Sequence, residues 1–130
     1  MTADVRESLL AHAREEAPNE ACGVIVFRDG TSVRYERGRN VLESPTVYRL
    51  EVDPEVWFLE DEGYELAVFH SHPETRAYPS PTDVANIGLL EGRPYFILSL
   101  ATGELEAFTI GGGEIERLAS QSPVSMPPPT

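Results

Sequence analysis

At 130 residues with 41% hydrophobic side chains, the chain fits one compact domain with a real core. Its 22 acidic residues against 10 basic ones, all ten of them arginine, give a formal net charge of −12. That excludes nucleic-acid binding or membrane adhesion through bulk charge, since both need clustered cations.

The single cysteine excludes an internal disulfide and a four-thiolate zinc knot. No cationic leader runs into an apolar stretch, and no stretch has membrane-spanning length, so the expected compartment is cytoplasmic. The sequence carries no signal for an oligomeric state.

Residues 4–17 read as an amphipathic helix. Asp4 with Glu7 resembles a capping box, Val5, Leu9, Leu10 and Ala13 form an apolar stripe, and Pro18 ends it. Residues 20–27 are nearly continuously apolar after Glu20, which predicts a strand buried on both faces. Asp29-Gly30 is a hairpin turn signal leading into a more exposed strand at 32–37. Residues 46–50 suggest another strand.

Asp53-Pro54-Glu55 predicts a helix start, with Asp as N-cap and Pro first, running to Glu62 and closed by Gly63. A second apolar strand at 65–69 delivers His70-Ser71-His72-Pro73. Ser80-Pro81-Thr82-Asp83 predicts a helix running to Gly92, and strands follow at 95–101, 105–110 and 114–118. Residues 119–130 carry four prolines and three serines, the composition of a disordered tail. Strands with helices between some of them imply an α/β or α+β sandwich around a mixed sheet, a single domain over 1–118.

His70 and His72 are two of three histidines in the chain. At positions i and i+2 of a strand they share a face, which suits two ligands of one cation and equally suits two solvated polar groups. Ser80 and Asp83 have the spacing of a capping box, so cap and chemistry compete for the same carboxylate. Glu20 stands at a strand entrance where nothing local distinguishes it from the other glutamates. Cys22, two residues on, reads as a small buried hydrophobe or as a thiolate on the same face. Gly23 suits close packing. His12 reads as solvent-facing, while Tyr48, Arg49 and Tyr78 read as groove-lining or merely exposed.

Taken together, these residues resemble the JAMM (MPN+) metallopeptidase motif: an upstream glutamate, His-x-His-Pro, and Ser-x-x-Asp beginning seven residues after the proline. Here that is Glu20, then His70-Ser71-His72-Pro73, then Ser80-Pro81-Thr82-Asp83, with every spacing matched. Glu20-Ala21-Cys22-Gly23 resembles the strand that bears the family's glutamate. Ser44-Pro45-Thr46, Tyr48-Arg49-Leu50 and Tyr78-Pro79-Ser80 resemble the small bacterial branch.

The resemblance implies a JAMM/MPN fold, a cytidine-deaminase-like layered architecture with a mixed sheet flanked by helices. It implies one zinc ion held by His70, His72 and Asp83, with Glu20 as general base and Ser80 as oxyanion donor. It further implies a substrate in the glycine-ended tail of a ubiquitin-like or sulfur-carrier protein. The alternative is a non-catalytic MPN scaffold that retains zinc, although such modules usually lack a ligand and none is missing here. Other His-x-His patterns fit worse. A metallo-β-lactamase needs Asp and His where Glu74 and Thr75 stand, a cupin needs a glutamate near Arg76 or Ala77, and a zinc deaminase needs Cys-x-x-Cys.

Overall fold

The computed structural model describes residues 1–118. The expected tail at 119–130 lies outside the described residues. Helix α1 (Ala3–Glu16) opens the fold. Its N-cap is Thr2, whose side chain accepts from the Val5 amide, rather than the expected Asp4, which sits in the first turn where the helix dipole favours an anion. Strands β1 (Cys22–Arg28) and β2 (Thr31–Arg37) form the expected hairpin. Asp29 and Gly30 take φ of 51° and 79°, the left-handed pair that a two-residue hairpin turn requires.

A small two-stranded sheet pairs β3 (Arg39–Asn40) with β4 (Leu50–Glu51). The strand expected over 46–50 thus shrinks to its last residue. In the backbone before it, the Val47 carbonyl and the Arg49 amide bond to the Asn40 side chain, and the Arg49 carbonyl accepts from the Val41 amide. Residues Pro54–Glu62 form a 3-10 helix, capped by Asp53 and closed by Gly63 at φ 92°. Apolar Val56 and Leu59 are three apart and so share one face at that tighter pitch. Strand β5 (Glu65–His72) follows. Helix α2 (Pro81–Ala85) is shorter than expected, because the chain breaks into a separate 3-10 turn at Gly88–Leu90, with Gly88 at φ 51°. Strands β6 (Tyr95–Ser99), β7 (Leu105–Gly111) and β8 (Glu114–Arg117) finish the sheet.

The six-stranded sheet has the order β2-β1-β5-β6-β7-β8. All neighbours are antiparallel except β5 and β6. Alternation sorts the strand residues onto two covered faces. Ile25, Ala67, Phe69, Phe96 and Ala107 pack under α1 with Leu9 and Ala13. Val24, Val26 and Leu66 pack against the 3-10 helix, and Val68, Tyr95, Ile97 and Phe108 lie towards α2. Burial on both faces explains the unbroken apolar runs in β1, β5 and β6. His12 corrects its expected exposure: it is buried, and Nδ1 lies 2.7 Å from the Tyr35 hydroxyl. Gly23 packs as expected, for a Cβ there would stand 2.4 Å from the Tyr35 hydroxyl and 2.6 Å from the Glu36 carbonyl.

Candidate active site

Strand β5 puts Leu66, Val68, His70 and His72 on one face, so the residues that pack the core at its start become imidazoles at its end. Both histidines are buried. Their Nε2 atoms are 2.9 Å apart and face Asp83 Oδ2, at 3.1 Å from His72 and 3.3 Å from His70. Nδ1 of His72 donates to the Arg76 carbonyl at 2.9 Å, which makes Nε2 the nitrogen that faces Asp83 and His70. The His70 ring stacks on Tyr48, with centroids 4.5 Å apart and planes 19° apart, and Tyr48 donates to the Tyr95 hydroxyl at 2.7 Å.

Cap and site do not compete for Asp83. The capping box is complete: Asp83 N–H donates to Ser80 Oγ at 3.0 Å, and Ser80 N–H donates to Asp83 Oδ2 at 2.9 Å. The capped oxygen is the one that faces both histidines, so the helix start aims the carboxylate. Because Ser80 Oγ accepts in this box, its own O–H is left to donate.

Glu20 is 3% exposed and not at an open strand entrance, as its position before β1 suggests. Its carboxylate lies within 4.8 Å of both histidine nitrogens, with Oε1 buried and without a hydrogen-bond partner. Burial, helped by the Asp83 charge and opposed by His72, raises its pKa to about 8. Burial likewise holds His70 below the ordinary imidazole value. For His72, burial also pulls downward, but bonds to Asp83 and the Arg76 carbonyl outweigh it and raise the pKa. Asp83 is pushed the other way: burial acts to raise it, and the two histidines with the Ser80 amide hold it well below the carboxylate range.

The donor set fits a metal cation. Tetrahedral ligands at about 2.0–2.1 Å from a common centre stand about 3.3 Å from one another, and the three close donors here span 2.9–3.3 Å. The orphaned Glu20 Oε1 beside them is what a buried carboxylate facing an absent polar partner looks like.

Among the other candidates, Cys22 is buried and its thiol is pushed up to about 12 by burial, so it stays protonated and behaves as a small apolar side chain. Tyr48 and Arg49 do line a groove of about 460 Å³, together with Asp83, Leu42 and Leu89. Tyr78 instead packs edge-on against Phe108. The residue missed by sequence reasoning is Asn40, whose side chain ties the 41–49 loop to Glu20. An asparagine between two predicted strands gave no signal beyond that of a turn.

Together, fold and donors define an α+β domain built around a buried His-His-carboxylate cluster that fits a metal ion. The family model described as prokaryotic homologs of the JAB domain matches residues 2–111, and the chain belongs to that family. It is 35% identical over 131 positions to the desampylase of Haloferax volcanii, covering 92% of each protein. It is 43% identical over 89 residues to the CysO-cysteine peptidase of Mycobacterium tuberculosis, covering 63% of this chain and 60% of that relative's length. The solution structure of protein DSY2949 from Desulfitobacterium hafniense superposes with a TM-score of 0.73 at 32% identity, covering 89% of this chain and 86% of that one. AF2198, a JAB1/MPN domain protein from Archaeoglobus fulgidus, does so with a TM-score of 0.56 at 14% identity, covering 88% and 89%, a likeness of fold.

Proposed function

We propose that the protein is a zinc-dependent peptidase of the cytoplasm, which hydrolyses the bond after the C-terminal glycine of a ubiquitin-like or sulfur-carrier tail. The observation that carries this reading is the convergence of His70 Nε2, His72 Nε2 and Asp83 Oδ2 beside the unpartnered Glu20 carboxylate. The names of the relatives, a CysO-cysteine peptidase and a desampylase, support a peptidase acting on such a tail.

His70, His72 and Asp83 would hold one zinc ion per chain. When bound, zinc supplies a Lewis acid that lowers the pKa of a ligating water from 15.7 towards about 7. Glu20 takes the proton from the attacking water as oxygen bonds to the scissile carbonyl carbon. A buried carboxylate with a free acceptor oxygen beside the two imidazoles is placed to make that transfer. The Ser80 hydroxyl donates to the oxyanion that forms. Glu20 then passes its proton to the nitrogen as the C–N bond breaks, releasing the amine and a carboxylic acid that gives the water's second proton to solvent. The tail lies extended in the groove beside Tyr48 and Arg49, where apolar Leu42 and Leu89 reach solvent at the rim.

The test uses zinc-loaded protein and carrier conjugates that end in a glycine–cysteine or a glycine–lysine linkage, with product masses read directly. Glu20→Gln is expected to keep one zinc per chain and lose nearly all hydrolysis. Normal turnover by that variant overturns the mechanism. Stoichiometric zinc with no hydrolysis of any conjugate by the wild type favours the scaffold reading.

A further inference from the structure

We infer that Asn40 is a positioning residue for Glu20: it fixes where the base carboxylate stands by binding the backbone of residue 20 and the 41–49 loop into one piece. The inference rests on the proposed role of Glu20. Asn40 closes strand β3 and is 5% exposed. Its amide uses its full bonding capacity. Nδ2 donates to the Glu20 and Val47 carbonyls, each at 3.1 Å, with the Ser44 carbonyl further off at 3.5 Å. Oδ1 accepts from the Leu42 and Arg49 amides, each at 3.1 Å. Two N–H donors on one side and two carbonyls on the other fix which way the amide points.

Residue 20 is bound twice to this loop, because its own N–H donates to the Ser44 carbonyl at 2.8 Å. The next residue belongs to the histidine strand. Ala21 N–H donates to Ser71 Oγ at 2.8 Å, and Ser71 N–H donates back to the Ala21 carbonyl at 2.9 Å. Glu20 is therefore the joint between a loop organised by Asn40 and the strand that carries His70 and His72.

Oε1 of the Glu20 carboxylate is buried without a hydrogen-bond partner, so the backbone and packing around residue 20 aim it. A misplacement near 1 Å at a reacting group can cost about 10²-fold in rate. Asn40 bonds to neither β5 nor α2, so the three metal-facing donors do not depend on it directly.

Asn40→Asp is the sharpest probe. It preserves the shape and the two accepted bonds, and sets a carboxylate oxygen against the Glu20 and Val47 carbonyls. Asn40→Ser removes the same donors without adding charge and serves should the aspartate variant fold poorly. Three measurements are made on zinc-loaded protein: zinc content, kcat and KM on a carrier conjugate, and hydrogen exchange at the Glu20 and Ser71 amides.

The expected result is unchanged zinc, kcat lower by about 10- to 100-fold with KM little altered, and faster exchange at the Glu20 amide with Ser71 still protected. In a Glu20→Gln background, Asn40→Asp should add almost nothing to the rate loss, since both act on one group. Full kcat in both Asn40 variants, or an equal fold-loss with and without Glu20, overturns the inference. If wild-type protein cleaves no conjugate, the peptidase reading fails, and exchange at Glu20 then decides the positioning role: unchanged exchange in both variants overturns it.

Discussion

At the scale of single residues, the site is a set of opposed proton affinities. Glu20 keeps its proton to about pH 8 in the folded chain, whereas an ordinary glutamate releases it near 4.5. Between those values the folded state binds more protons than the unfolded one, so this group makes metal-free protein less stable as pH rises through that window. Denaturant midpoints measured from pH 4.5 to 8 should fall for the wild type and flatten for Glu20→Gln. Asp83 has the opposite sign. Its depressed pKa contributes stability above the ordinary carboxylate value, and that contribution is lost on acidification. Asp83→Ala is expected to abolish metal binding and to cost about 1 kcal/mol for the lost cap bond, with Asp83→Asn losing metal at a smaller structural cost. Atomic absorption and thermal melts on both variants separate the two duties.

Among secondary-structure elements, what was legible in the sequence is what is local in the chain. His70 and His72 share a face because a strand has a period of two, and Asp83 is aimed by a capping box written in four consecutive residues. The parts that were not legible depend on distant chain. Glu20 is buried where the 41–49 loop and β5 bond to the backbone of residues 20 and 21, and Asn40 organises that loop through main-chain groups up to twenty residues away. His12 is buried by Tyr35 from another element. The 46–50 segment has strand-like composition, but a side chain had already taken its backbone bonds. Two element-level substitutions follow. Ser71→Ala leaves the buried Ala21 amide unpaired, at an expected cost of about 1–3 kcal/mol. Gly23→Ala forces a methyl into Tyr35 and should cost about 1–3 kcal/mol as overpacking. Chemical denaturation reads both.

For the molecule as a whole, a charge of −12 with arginine as its only cation leaves an acidic surface and no side-chain amine. On the proposed function, a carrier would dock through a basic or apolar face, and KM should rise with ionic strength if basic groups carry the contact while kcat holds. No helix among the described residues is long and apolar enough to cross a membrane. Zinc at a hundred times its dissociation constant should stabilise the fold by about 2.7 kcal/mol, so chelation is expected to lower the melting temperature by several degrees. The contact between His72 and Asp83 has a calorimetric consequence. Held above the ordinary imidazole value, His72 binds a proton more readily in the metal-free state than a free imidazole does. Loading the site displaces whatever proton is held there, and the apparent binding enthalpy will track the ionisation enthalpy of the buffer that receives it.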